Sequence, residues 1–511
     1  MRRRIVTSSL AIALMALLAA IVVPGASPSR STSGAASGTL TIGIGQDFGT
    51  LDIRGLGSAA SFSILRHITE PLVAFSPTGK FIPDLATSWQ QVTPTKLRFH
   101  LRQGVRFTNG DPFDAATVKH SIAKVLDPKF AAWDNSYIAG LVKSVTIVNR
   151  YTVDVNEVSP TTRLIDGLTT VDMVDPTYDA TGKMKTHPIG TGPYEFVSFT
   201  PRQQLVLQRN PTYWGKRPAI AKIVVRIIPD PSTQAAALLR GEVQMVNNLP
   251  FSFIDQVKKH KGTTVATGPS ARLVFLAINT KKAPLDNPLV RQALNYAVNK
   301  SAIVQSILKG QASVANGPCA PLTKYCRTDL GYAYNVEKAK SLLKEAGYSG
   351  QPITLTIGAG RYPNDDVVGQ AVVSELQAAG FNAKLNTIDY SSLGSQLSAG
   401  HGTSPFDMWL QGWSADDNDL IGMLQALFTK DAVYPIGYNN AKVTSLLNQA
   451  SHTVNAAVIQ RDLSQAEAQI AKDAPVVFMY VPKQDIGIST SLKGFTPRFD
   501  EYFFFWDSRL S

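Results

Sequence analysis

Cysteine is almost absent from this chain of 511 residues: Cys319 and Cys326 are the only two. A disulfide-dense scaffold and a cysteine-rich zinc module are both excluded. Histidine offers no metal site in its place, because His67, His100, His120, His187, His260, His401 and His452 are dispersed along the chain. Each reads as a surface or packing residue. The sequence also lacks a G-x-S-x-G elbow, an H-E-x-x-H helix and a G-x-x-x-x-G-K-[ST] phosphate loop. Gly43, Gly45 and Gly49 follow a strand, but Phe48 stands where a dinucleotide fingerprint needs its third glycine. Neither an enzyme nor a cofactor is expected.

Charge is sparse too, at 17% of residues, and the formal balance of +12 is partly a property of the leader. Arg2, Arg3, Arg4 and Arg30 precede the first acidic residue, Asp47. The remaining basic residues are scattered, without the clustered, aromatic-interleaved patch that nucleic acid requires. A hydrophobic share of 44% is that of an ordinary folded protein.

What is present begins at the N-terminus. The three arginines lead into an apolar run from Leu10 to Val23, which is the length of a signal-peptide core and short for a membrane span. Residues 24–39 are small, polar and suited to a tether or a cleavage region. Export is the expectation, to the periplasm or the outer face of the cytoplasmic membrane, with cleavage after Ala26 or Ala36 or with an uncleaved anchor as the alternative. No cysteine follows the run, so a lipid anchor is not available. In an exported chain Cys319 and Cys326 are expected to pair, and so short a ring stabilises the fold by ~2–3 kcal/mol on the chain-entropy model.

The segment from Gly190 to Gly215, GTGPYEFVSFTPRQQLVLQRNPTYWG, carries the strongest local signal. Gly190, Gly192 and Pro193 force a turn. Alternation then predicts an antiparallel hairpin with Tyr194, Phe196 and Ser198 on one face, closed by Asn210-Pro211 and followed by Tyr213-Trp214. As a string it resembles the signature of extracytoplasmic solute-binding proteins of ABC importers, family 5, the dipeptide and oligopeptide type. Residues 97–122, 285–300, 335–348 and 406–419 resemble further blocks of that family, in the same order. Two departures are the leucine at 420, where the family usually has proline, and the missing Asp-Gly before the first strand.

The resemblance implies an α/β, two-lobed periplasmic-binding-protein fold of the large peptide-binding subclass, with an inserted subdomain. The alternation of strands and helices from residue 271 onward agrees with a mixed α/β sheet. Expected divisions are a leader at 1–38; a discontinuous first lobe of 39–54, 186–270 and 484–511; an insertion at 55–185; and a second lobe at 271–483. One helix is expected over 288–309. The C-terminal aromatic run, Tyr502 to Trp506, is read as core packing.

The candidate site is Gly412-Trp413-Ser414-Ala415-Asp416-Asp417-Asn418-Asp419. In peptide-binding relatives the aspartate three positions after this tryptophan pairs with the ligand's ammonium, which implies that role for Asp416. An enclosed ammonium needs such a partner, since its desolvation otherwise goes uncompensated. Trp413 would supply a flat apolar wall, and Asp419 would cap the helix that begins near Leu420. The alternative is that Asp416 itself is only a cap. Arg361, after the strand ITLTIGAG, is a candidate partner for a ligand carboxylate; Tyr480 and Phe48 are weaker cleft candidates. Expected partners are a small-molecule or peptide ligand and membrane permease subunits, with the protein itself a monomer. Other ligands of the family are nickel chelates, haem and oligosaccharides; a sensory receptor and an exported hydrolase are the readings from other classes.

Overall fold

The computed structural model describes residues 38–511, apart from 56–57, 131, 133, 248, 363, 400–403, 416–417 and 431. The expected leader up to residue 37, and Asp416, therefore lie outside the described residues. Two large sheets organise the chain. The first has seven strands in the order Thr263–Gly268, Gln484–Ser489, Met245–Val246, Thr39–Ile44, Lys222–Ile227, Gln204–Arg209 and Tyr194–Thr200. The second has six: Ala312–Val314, Val476–Pro482, Arg272–Ile278, Met408–Ser414, Pro352–Ala359 and Asn382–Asp389. A separate four-stranded antiparallel sheet, Ala86–Thr93, Lys96–Leu101, Thr152–Glu157 and Val142–Asn149, belongs to the stretch between Thr39–Ile44 and Tyr194–Thr200 of the seven-stranded sheet.

The chain passes between the large sheets at two places close together. Strand Thr263–Gly268 of the first is followed after three residues, 269–271, by Arg272–Ile278 of the second, and only Lys483 separates Val476–Pro482 from Gln484–Ser489. Each sheet has its own core. Leu40, Ile42, Leu207, Ile223 and Val225 pack under the first, and Val274, Leu276, Leu355, Ile357 and Leu410 under the second. Among the described residues no helix is long and apolar enough to cross a membrane.

Local readings hold where a cap or a turn decides them. Asp114 accepts from the Ala116 N–H and starts the helix Ala115–Val125 with a capping box to Thr117; Asp230 does the same for Pro231–Leu239 through Thr233. The hairpin of Tyr194–Thr200 with Gln204–Arg209 is antiparallel, but a bulge between Phe196 and Ser198 shifts its register. Ser198 is consequently exposed, and Phe199 turns inward against Phe48 instead. The single helix expected over 288–309 is broken. Pro288–Ala297 ends at extended Val298, and Asn299 caps a new turn, Lys300–Ala302, that runs on into a π-helical turn at Ile303–Ile307. Apolar period alone could not show that break, because buried apolar residues continue across it, Val290, Leu294 and Ala297 before it and Ile303 and Val304 after it.

The Cys319–Cys326 disulfide is present. Glu467 lies beneath it, with Oε1 3.2 Å from Cys319 Sγ and accepting from the Arg327 N–H at 2.8 Å. The C-terminal aromatics divide: Tyr502, Phe503 and Phe505 are buried, whereas Phe504 and Trp506 are half-buried and stack on each other at 4.2 Å.

Candidate functional site

The site is assembled where three neighbouring strands of the six-stranded sheet meet the crossing segments. Arg272–Ile278 is central; Val274 lies opposite Gly412 on one side and opposite Tyr480 on the other. At the strand end Arg272 faces Ser414 and Leu273 faces Trp413. Tryptophan, glycine and tyrosine are thereby fixed by ladder hydrogen bonds rather than by loops, which makes this a rigid platform.

Gly412 has a steric reason. A Cβ there would stand 2.6 Å from the hydroxyl oxygen of Tyr362, so only glycine lets that ring lie against the strand. Tyr362 and Tyr480 are both buried, and among the described residues neither hydroxyl has a hydrogen-bond partner. Burial pushes the Tyr362 phenol up to about 12, and that of Tyr480, with Tyr362 beside it, still further. Two neutral, unpartnered hydroxyls in a protein interior are uncommon and mark a place where polar groups are held ready.

Trp413 meets Tyr434 edge to face at 5.8 Å and 84°. The Tyr434 hydroxyl accepts from Gln411 Nε2 at 2.7 Å, which locks the ring. Arg361 is exposed, with its guanidinium over the rings of Tyr362 at 5.4 Å and Tyr390 at 5.7 Å. Its loop is fixed by Asp365, whose Oδ2 accepts from the N–H groups of Arg361 and Tyr362. Among the described residues no carboxylate lies within ion-pair distance of that guanidinium.

Arg272 and Glu501 complete the polar wall. Arg272 donates to both Glu501 oxygens, Nη2 to Oε2 at 2.8 Å and Nε to Oε1 at 3.2 Å, and Ser270 Oγ donates to Oε1 at 2.6 Å. Burial opposes the charge on Glu501, yet Arg272, Ser270 and Arg361 together hold its carboxyl below the ordinary value. Glu501 has φ of +62°, a left-handed conformation that a non-glycine residue adopts only where its surroundings impose it.

The loop after Trp413 is tied on two sides. Asn418, also left-handed with φ of +59°, accepts from the Lys324 N–H inside the disulfide ring at 3.1 Å and donates to the Gly79 carbonyl at 3.4 Å. Asp419 occupies the N-cap position of the helix Leu420–Phe428, as expected, but its side chain makes no cap hydrogen bond. Its carboxylate turns instead to Arg163 at 2.5 Å, and Arg163 Nη1 also donates to Gln425 at 3.2 Å. A charged partner in reach outcompetes a neutral backbone N–H.

The structure thus brings together Gly412, Trp413, Arg361 and Tyr480. Phe48 is not among them: it is 4% exposed, packs edge to face on Phe199 at 5.7 Å and belongs to the core under the seven-stranded sheet. The turn after the first strand points its apolar residue inward, because Asp47 beside it accepts from the N–H groups of Phe48 and Arg202 and takes the solvent side. Asp416, the expected ammonium partner, lies outside the described residues. Sequence reasoning missed Arg272, Tyr362, Tyr390, Tyr434 and Glu501. Only Tyr362, next to Arg361, and Arg272, at the head of RLVFLAIN, carried a positional hint.

Comparison with known proteins bears on the family and the fold of the chain. The family described as bacterial extracellular solute-binding proteins, family 5 (middle), matches residues 80–435. A glutathione-binding protein, GsiB, of Pectobacterium atrosepticum is 27% identical over 92% of this chain and 94% of its own. The periplasmic binding protein DppA of Helicobacter pylori, solved with the peptide STSA, superposes with a TM-score of 0.76 at 25% identity, covering 93% of this chain and 98% of that one. The substrate-binding protein CtaP of Listeria monocytogenes shares the fold at a TM-score of 0.85 and 21% identity, over 93% and 99% of the two chains.

Proposed function

Because the chain belongs to family 5 of the bacterial extracellular solute-binding proteins, a substrate-binding and non-catalytic family, we propose that it captures short peptides between its two lobes and delivers them to the permease subunits of an ABC importer. The lobes are read as 39–54, 186–270 and 484–511 for the first, 271–483 for the second, and 55–185 as the insertion. The membership of the strands in two sheets joined at 269–271 and 483 supports that division.

One observation carries the ligand class: Arg361 projects beside the Trp413 platform with its guanidinium on tyrosine faces, and among the described residues no carboxylate lies within ion-pair distance of it. A ligand carboxylate is the natural partner, and Arg361 is assigned to it. By its place three residues after Trp413, Asp416 is assigned to the opposite end of the same ligand, the ammonium. Trp413 covers a side chain, and the idle hydroxyls of Tyr362 and Tyr480 sit beneath, ready for backbone groups if the tyrosines shift. Glutathione, named for the relatives above, has an ammonium and carboxylates and fits the same reading.

Calorimetric titration of the exported form with a mixture of short peptides, then with single peptides and with glutathione, tests the proposal. Micromolar or tighter binding of at least one of them, weakened by Arg361→Ala, is expected. Binding of a nickel chelate, haem or an oligosaccharide in place of every peptide would keep the family and replace the ligand.

A further inference from the structure

A cavity of about 400 Å³ lies away from the Trp413 platform, and none of its lining residues belongs to 271–483. It is walled by aromatic faces, those of Tyr213 and Trp214 from the YWG corner and of Phe504 and Trp506 from the C-terminal run. Phe504 and Trp506 are stacked at 4.2 Å and 16°, and the Arg498 guanidinium lies over the Phe504 ring at 4.8 Å, so Trp506 is the ring of this pair left to face a guest. The volume is that of a small-molecule site.

The charges in the wall leave a single one unmatched. Arg66 is paired with Asp172 at 2.9 Å, Arg498 with Asp500 at 2.6 Å and Lys216 with Asp507 at 3.1 Å. Glu70 accepts from Thr191, Tyr213 and Trp214. Asp84 differs: among the described residues no donor reaches its carboxylate. Arg102, one of its two neighbouring arginines, donates to the backbone carbonyl of Asp84 at 3.1 Å and lays its guanidinium on Trp214 at 4.2 Å. Burial and the neighbouring Glu70 and Asp172 carboxylates push the Asp84 carboxyl well up, against the pull of Arg66 and Arg102. An anion would face those three carboxylates while every cation of the wall is already engaged, and a neutral guest would leave Asp84 unpaired.

We propose that this cavity is a second ligand site, for a small organic cation of the ammonium or guanidinium class, which pairs with Asp84 and lies against the ring of Trp506. Ring faces attract such a head group where water is thinned out, and the carboxylate gains the partner that it lacks.

Calorimetric titration with choline, agmatine and putrescine, and with 3,3-dimethylbutan-1-ol as the uncharged isostere of choline, tests the site. At least one of the three cations is expected to bind with a Kd below about 10 mM, and the isostere at least about tenfold more weakly than choline or not at all. Asp84→Asn should weaken the cation at least about tenfold and Trp506→Ala by about fivefold, each with an unchanged circular dichroism spectrum, while Trp413→Ala should leave it untouched. Trp506→Ala keeps the test alive should the asparagine variant not fold. No binding of any of the three cations, equal binding of the isostere, retained binding in Asp84→Asn, or loss in Trp413→Ala would each overturn the proposal.

Discussion

In the corner formed by Gly190 to Gly215 buried polar side chains are bonded to one another, whereas beside Gly412, among the described residues, the buried hydroxyls of Tyr362 and Tyr480 have no partner and Asn418 and Asp419 are tied to distant loops. Gly190 and Gly192 press on the backbone of the preceding helix end, with positions for a Cβ only 2.0 Å from the Ile68 carbonyl oxygen and 2.6 Å from that of His67. Tyr213 and Trp214 donate to buried Glu70 at 2.7 and 2.8 Å. Among the described residues, by contrast, the hydroxyls of Tyr362 and Tyr480 have no partner, and the Arg361 guanidinium lies over the rings of Tyr362 and Tyr390. The stronger family signature marks a joint in the scaffold. The weaker one marks the proposed ligand platform.

Substitutions should separate the two regions, one acting on binding and the other on stability. The largest effect is expected at Asp416: Asp416→Ala leaves a buried ammonium unpaired and should cost about 3–5 kcal/mol of peptide affinity with the melting temperature unchanged. Gly190→Ala should do the reverse. Its Cβ collides with backbone that cannot swing aside, and about 3 kcal/mol of unfolding free energy should be lost in denaturant titration, with affinity preserved in the folded fraction.

The pH dependence sharpens the same contrast. Burial pushes the Glu70 carboxyl from 4.5 up to about 7, although Trp214, Thr191 and Tyr213 all donate to it, and Asp172 adds to the rise. Its pKa is higher folded than unfolded, so its contribution is intact below pH 4.5 and is lost as pH rises through about 7. Between those limits the wild type should lose on the order of 1–3 kcal/mol more than Glu70→Gln, which has no such titration. Unfolding titrations of both at the two pH values measure it. The smallest effect is expected from Asp419→Ala: its carboxylate serves Arg163, and peptide affinity should change by less than about 0.5 kcal/mol.

Much of this was legible in the sequence because local chemistry decided it. Alternation gave the strands, and two cysteines in a chain expected to be exported named their own pairing. The string GTGPY…YWG located the fold, although its glycines act through contacts with residues more than a hundred positions earlier. What could not be read depended on tertiary approach. Phe48 sits beside a half-buried aspartate at a strand end, and only the bulge that turns Phe199 inward shows that the ring is core. Asp419 looks like a cap until Arg163 arrives from another part of the chain. Arg272 and Glu501 are separated by more than two hundred residues, and no local pattern signals that they share one wall with Arg361.

The central claim is that a peptide's ammonium is read by the loop after Trp413. Titration of wild type and Asp416→Ala with one peptide and its N-acetylated form tests it most directly, since acetylation and the substitution remove opposite partners of one pair. Acetylation should cost the wild type about 2–4 kcal/mol and cost Asp416→Ala less than about 0.5 kcal/mol. Equal losses on acetylation in the two proteins, or equal affinity of both for the free peptide, would contradict it.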